Sequence, residues 1–295
     1  MNKYILVPKK NYLEAFSQKG AYVEIDILNK YINNKSDKYY VHKKTGLLIN
    51  KRKKSSKYTT DQYSNSVFKK KFTNSTYSAK IPAVQARLTY VSVMLNKNFE
   101  LHQKKILDAG AGTGEFLELM KTYKCNVFGV EPKKENCEEM RKKNISCEVG
   151  TIENFYVKNK FDIVSVLWTF CNMYNPLKAL LHIKKLLKKN GILVAADSSR
   201  IHVHPRKSLD AWVGKNFPRH LNPFHFSNNT LKGLLMYCGF KILEENRYHD
   251  TDYLVIIAKN VNRNYKKLPA DNFRNVIGFF KLWDELDQKI RKYNK

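Results

Sequence analysis

Between residues 104 and 259 short apolar runs alternate with amphipathic stretches. Runs at 106–107, 126–130, around 147–149, at 161–167 and at 192–196 predict strands, and 115–121, 133–142 and 177–188 predict helices. In the last of these Leu177, Leu180, Ile183 and Leu187 fall on one stripe. Strand-helix alternation of this length predicts a parallel sheet covered on both faces. After a Pro- and His-bearing stretch at 198–226, a helix at 230–237 precedes two more strands, 241–245 and 253–258. No helix fits between those two, so the last strand is expected to pair antiparallel.

The flanks read differently. The first hundred residues carry apolar patches at 22–28, 39–41 and 47–49 between Lys/Ser/Asn/Thr-rich turns, which predicts a small, partly β segment. Val84, Leu88, Val91 and Leu95 follow helical spacing and predict a linking helix at 81–95. At the other end, Phe273, Ile277, Phe280, Trp283 and Leu286 predict a terminal helix docked by its aromatic side. The expected division is therefore a basic N-terminal accessory segment at 1–100, a main domain at 101–260 and a C-terminal amphipathic helix at 261–295.

Composition narrows the class. With 43% hydrophobic and 13% aromatic residues in 295, the chain can bury a sizeable core and is not a disordered polycation. The longest stretch without an ionised residue in its apolar middle, 163–177, includes Ser165, Thr169, Asn172, Asn175 and Pro176 and is too short for a membrane span. Residues 1–10 show no signal-peptide core, so a cytoplasmic location is expected. Cys125, Cys137, Cys147, Cys171 and Cys238 form no C-x-x-C pair, which argues against a disulfide framework and a structural zinc site.

The formal net charge is +28, from 54 Lys+Arg against 26 Asp+Glu. An excess of that size suggests nucleic acid or an anionic membrane surface. Only 10 of the bases are Arg, however, and Arg is the residue that nucleic-acid interfaces use for bidentate contacts. The excess is concentrated at 1–100, with 20 bases against 6 acids.

The densest chemistry lies in Asp108-Ala109-Gly110-Ala111-Gly112-Thr113-Gly114-Glu115, a strand passing through a glycine-rich turn into a helix. Glycine lets the backbone approach a ligand closely. A dinucleotide fingerprint would need glycine at position 115, which is Glu115. A pyrophosphate there would face Asp108 and Glu115, whereas a cationic sulfonium bearing an amino group would be drawn to them. The pattern D-x-G-x-G-x-G thus favours S-adenosylmethionine over NAD.

Over residues 104–259 the sequence resembles the class I S-adenosylmethionine-dependent methyltransferases. Glu131, ending Val127-Phe128-Gly129-Val130-Glu131, stands where the family carries the acid that accepts the ribose hydroxyls. Gly150-Thr151-Ile152-Glu153 is similar to the family's adenine-cradling Gly-Asp-x-Glu, with Thr151 in place of the Asp and Ile152 offering apolar contact. Residues 167–176, from Leu167 to Pro176, occupy the place of His-Val-x-Asp-Pro, with amide side chains substituting for the His and Asp. Lys188-Lys189-Asn190-Gly191 resembles the turn into strand five, and Cys238-Gly239-Phe240 the turn into strand six. The resemblance implies a Rossmann-like seven-stranded methyltransferase sheet with its last strand antiparallel and a small N-terminal accessory segment. It also implies S-adenosyl-L-methionine as cofactor, held by Asp108, Gly110, Gly112, Gly114, Glu131, Thr151, Ile152 and Leu167. In the accessory segment, His42 and Thr45 stand where some polysaccharide- and sugar-modifying methyltransferases have zinc-ribbon cysteines, so no metal is expected there.

Methyl transfer from a sulfonium is an in-line displacement in which alignment supplies much of the rate. A hydroxyl acceptor also profits from a general base, for which histidine suits neutral pH. His202, His204, His220 and His225 follow strand five, with Tyr174 opposite. His220 and His225 are the leading catalytic candidates because they flank an apolar loop at 221–224 that could form a lid with Trp212, Phe217, Phe224 and Phe226. The expected acceptor is a small molecule, nucleotide sugar or glycan precursor methylated on oxygen or nitrogen. An RNA acceptor and a catalytically silent binding module are the alternatives.

Overall fold

The computed structural model describes residues 4–32, 38–51, 82–197, 201–203, 207–213, 223–246 and 254–293. His204, Phe217 and His220 lie outside the described residues.

The strands are β1 (Ile5–Pro8), β2 (Tyr22–Glu24), β3 (Lys38–His42), β4 (Leu48–Lys51), β5 (Lys105–Ala109), β6 (Asn126–Glu131), β7 (Ser146–Val149), β8 (Phe161–Leu167), β9 (Leu187–Asp197), β10 (Phe224–His225), β11 (Phe240–Glu245), β12 (Leu254–Asn260) and β13 (Lys267–Ala270). The helices are α1 (Lys9–Phe16), α2 (Asp26–Asn29), α3 (Pro82–Asn98), α4 (Glu115–Thr122), α5 (Lys134–Lys142), α6 (Pro176–Leu186), α7 (Leu209–Val213), α8 (Asn228–Tyr237) and α9 (Phe273–Tyr293).

The main sheet has seven strands in the order β11-β12-β9-β8-β5-β6-β7. From β9 to β7 every neighbour is parallel, and β12 runs antiparallel to both β9 and β11. This is the Rossmann-like arrangement with an antiparallel last strand. It arises because the strands are apolar at consecutive positions, so both faces demand cover. Alternate residues serve opposite sides: Leu107, Val164, Val166, Leu193, Ala195, Ile256 and Ala258 enter one core, and Ile106, Ile163, Ile192, Val194, Val255 and Ile257 the other. The first core is closed by α6 and α8, the second by α3, α4 and α5.

Local chemistry sets the helix starts on the site side. Asn175 caps α6 by accepting the Lys178 N–H at 2.9 Å, with Pro176 in the first turn. Ser227 and Thr230 form a reciprocal capping box at the start of α8. Helix α6 ends at Leu186 rather than near 188, because Leu187 already pairs with Phe161 at the start of β9.

A second sheet, β10-β4-β3-β2, is entirely antiparallel and joins the first fifty residues to the stretch after β9. Separately, β1 pairs with β13. Strand β4 and the residue before it alternate as the main strands do: Leu47 and Ile49 enter the first core, while Leu48 enters a third with Tyr39, Val41, Trp212, Phe280 and Trp283. The accessory sheet is thus sandwiched between the main core and a layer made of α2, α7 and α9. Tyr12 on α1 reaches across to the β13 carbonyl of Pro269.

Candidate active site

The carboxyl ends of β5, β6, β7 and β8 lie side by side, and the order reverses on either side of β5, which is where open α/β sheets form their ligand crevice. Asp108, Glu131, Thr151, Ile152 and Leu167 stand at or just beyond those ends, beside the turn containing Gly110, Gly112 and Gly114.

The three glycines adopt φ of +78°, +58° and +85°. At Gly110 a Cβ would come within 2.5 Å of Thr169 Oγ1, and at Gly114 within 2.7 Å of Met140 Cγ. Those two are fixed by packing. Among the described residues only Glu115 Oε2 comes as near as 4.0 Å to a Cβ at Gly112, so they leave this part of the turn open to a ligand. Lys143 braces the turn from outside, donating to Thr113 O at 3.0 Å and pairing with Glu118 at 3.1 Å.

Two buried carboxylates flank the turn. Asp108 accepts from Ser165 Oγ at 2.7 Å; burial pushes its pKa up to about 7, with Glu131 and Glu115 adding repulsion and the Ser165 bond opposing. Glu131 accepts the N–H of Gly112 at 3.0 Å, the N–H of Lys133 at 3.1 Å and Asn136 Nδ2 at 3.2 Å. Burial raises its pKa too, against those three donors. A carboxylate has about four lone-pair sites, so one ribose hydroxyl fits as the chain stands and a second would displace one of these donors. An acidic, open-backed turn suits a ligand with positive charge and hydroxyl donors, as S-adenosylmethionine is.

Three neighbours were not singled out in the sequence. Ser165, which holds Asp108, is a polar residue inside the apolar run of β8. Asp197, fully buried at the end of β9, accepts the N–H of Cys171 at 2.9 Å and ties down the turn after β8. An acid closing an apolar strand was the available signal. Trp168 takes a left-handed φ of +55°, donates its N–H to Ala196 O at 2.6 Å and lies 5.7 Å from the Arg87 guanidinium of α3.

The histidines divide. His225 sits in β10, nearly buried, with its ring 5.4 Å from that of Tyr39 and 5.5 Å from that of Trp212. His202 lies against Phe279, where burial lowers its pKa. His42 and Thr45 meet at 2.9 Å inside the β3–β4 hairpin, and burial brings the His42 pKa down to about 4. Phe224 and Phe226 belong to the first core and Trp212 to the third rather than to an open lid; among the described residues of that aromatic set, only Tyr174 is exposed. Phe226 packs on Phe170 at 6.4 Å, which puts the accessory sheet beside the turn after β8.

Residues 84–245 match a family model described as a methyltransferase domain. The chain belongs to this family. As a class I S-adenosylmethionine-dependent methyltransferase, it has S-adenosylmethionine as its expected cofactor. The methyltransferase is 24% identical over 212 residues to a ubiquinone biosynthesis O-methyltransferase of Pelagibacter ubique, covering 68% of this chain and 80% of that one. A crystal structure of a proposed sarcosine dimethylglycine methyltransferase from Galdieria sulphuraria shares the fold at a TM-score of 0.52 and 13% identity, over 62% of this chain and 88% of that one. A magnesium protoporphyrin IX methyltransferase from Synechocystis, solved with bound SAH, gives a TM-score of 0.48 at 16% identity over 61% of this chain and 83% of that one.

Proposed function

We propose that this methyltransferase acts on an oxygen or nitrogen of a small molecule, with a sugar, nucleotide sugar or glycan precursor as the leading acceptor class. The observation that carries the cofactor half is the open backbone at Gly112 between the carboxylates of Asp108 and Glu131. When bound, S-adenosylmethionine supplies a methyl group activated on a sulfonium. In this proposal Asp108 and Glu115 hold the cationic end, Glu131 takes a ribose hydroxyl, Thr151 and Ile152 border the adenine, and Leu167 closes the floor. A small-molecule oxygen acceptor is supported by the likeness to an O-methyltransferase. The sugar and glycan reading draws on the hairpin around His42 and Thr45. The proton of an acceptor hydroxyl is assigned to His220 or His225, within a division of the chain at residues 100 and 260.

The test is methyl transfer from radiolabelled S-adenosylmethionine to separated fractions of metabolites, glycans and RNA. Label in the metabolite or glycan fraction is expected. Label in RNA alone, or in no fraction despite cofactor binding, would overturn the proposal.

A further inference from the structure

Helix α9 has two apolar faces. Val276, Phe280 and Trp283 are buried against α2, α7 and β3, with Asp284 accepting from Lys30 at 2.6 Å and from Tyr31. Leu282, Leu286, Ile290 and Tyr293 are 55%, 46%, 59% and 91% exposed. Their spacing of four, four and three residues places them in one stripe of about 16 Å along the helix. Leu286, expected from its sequence position to dock inward, belongs to this outer stripe because the buried side is centred on Phe280 and Trp283.

One flank of the stripe is basic. Lys281, Lys289 and Lys292 are exposed there, with Glu285 between Lys281 and Lys289 as the only exposed acid among the helix's described residues. Asp287 is turned inward, accepting the N–H of Leu209. Single exposed apolar side chains need no explanation, whereas an unbroken row beside a row of bases does.

We infer that the outer face of α9 docks on an anionic lipid surface, with the apolar stripe entering the boundary between headgroups and acyl chains and the bases meeting lipid phosphates. A helix with large apolar side chains on one face and Lys/Arg beside them has the composition of an interfacial helix. A second copy of α9 packed antiparallel on the stripe would set three bases against three. A nucleic acid would satisfy the bases and leave the stripe in water. The net charge of +28 adds long-range attraction to the same kind of surface. No helix among the described residues is long and apolar enough to cross a membrane, so the contact is peripheral. The inference is independent of which acceptor the enzyme methylates.

The test is sedimentation of the full chain with vesicles of equal parts phosphatidylglycerol and phosphatidylcholine, against phosphatidylcholine alone. Roughly 0.3 M salt screens the diffuse charge of the rest of the protein. The native chain is expected to sediment with the anionic vesicles only. The double variant Leu286→Ser, Ile290→Ser keeps the net charge and is expected to bind them about tenfold more weakly or worse. Calorimetric binding of S-adenosylmethionine by the variant checks that it is folded. Failure of the native chain to sediment, or a folded double variant that sediments equally well, overturns the inference. So does a dimer in analytical ultracentrifugation that the same two substitutions dissociate.

Discussion

Asp108 loses its proton at a cost that depends on what occupies the site. A carboxyl with an unfolded pKa near 3.9 and a folded pKa of about 7 binds more protons in the native state between those values. Its contribution to stability is therefore fully present below about pH 4 and lost as pH rises through about 7. The cofactor-free Asp108→Asn variant is accordingly expected to be more stable than the native chain at pH 8, by about 1–3 kcal/mol, the scale of an uncompensated buried polar group. Thermal unfolding at pH 5 and pH 8 measures this, and equal differences at the two values would contradict it. A cation beside Asp108 favours the ionised form, so cofactor affinity should fall by up to about tenfold per pH unit below pH 7. Calorimetry across pH 5–8 gives that slope. For Glu131→Ala the expected loss of cofactor affinity is about 1–3 kcal/mol, that of charge-assisted hydrogen bonds. Unchanged affinity would remove Glu131 from the site. Asp108, the glycines and Glu131 were legible in the sequence as candidates because they lie at the ends of β5 and β6 and in the turn that follows β5. Ser165 and Asp197 were not, since their parts depend on β8 lying beside β5 and on the turn at 168–172 folding over β9.

Among the elements, helix α8 shows how one contact can override propensity. Gly233 lies in its interior, where alanine would gain up to about 1 kcal/mol. A Cβ at that position, however, would fall on the Tyr12 hydroxyl that bonds Pro269 O. Overpacking of this kind costs about 1–3 kcal/mol. Gly233→Ala should therefore destabilise by about 1–2 kcal/mol in urea unfolding, and Tyr12→Phe in the same chain should not rescue it, because the ring Cζ and, at 2.5 Å, Pro269 O crowd the same position. The main helices and strands were readable because their periodicity is local. Strands β1, β10 and β13 were not, being two to four residues long and defined only by partners about 175 to 260 positions away.

At the scale of the whole molecule, distant parts of the described chain close on one another. β1 joins β13, β4 joins β10, and α9 returns to cover α2. The accessory sheet also feeds Leu47 and Ile49 into the core that Val164, Val166 and Ile256 build from the main sheet. Two units separated by a solvated linker would melt independently, whereas units that share a core lose apolar contacts together. Calorimetry is therefore expected to show one transition in which the accessory sheet and the main sheet unfold at the same temperature, with calorimetric and van't Hoff enthalpies equal. Ile49→Ala, at the junction, should destabilise by the roughly 2–5 kcal/mol typical of a large-to-small core change, which lowers that single transition by about 2–4 °C or less for each kcal/mol at this chain length. If Ile49→Ala instead split the melt into two steps, the shared core would not be what couples the two sheets.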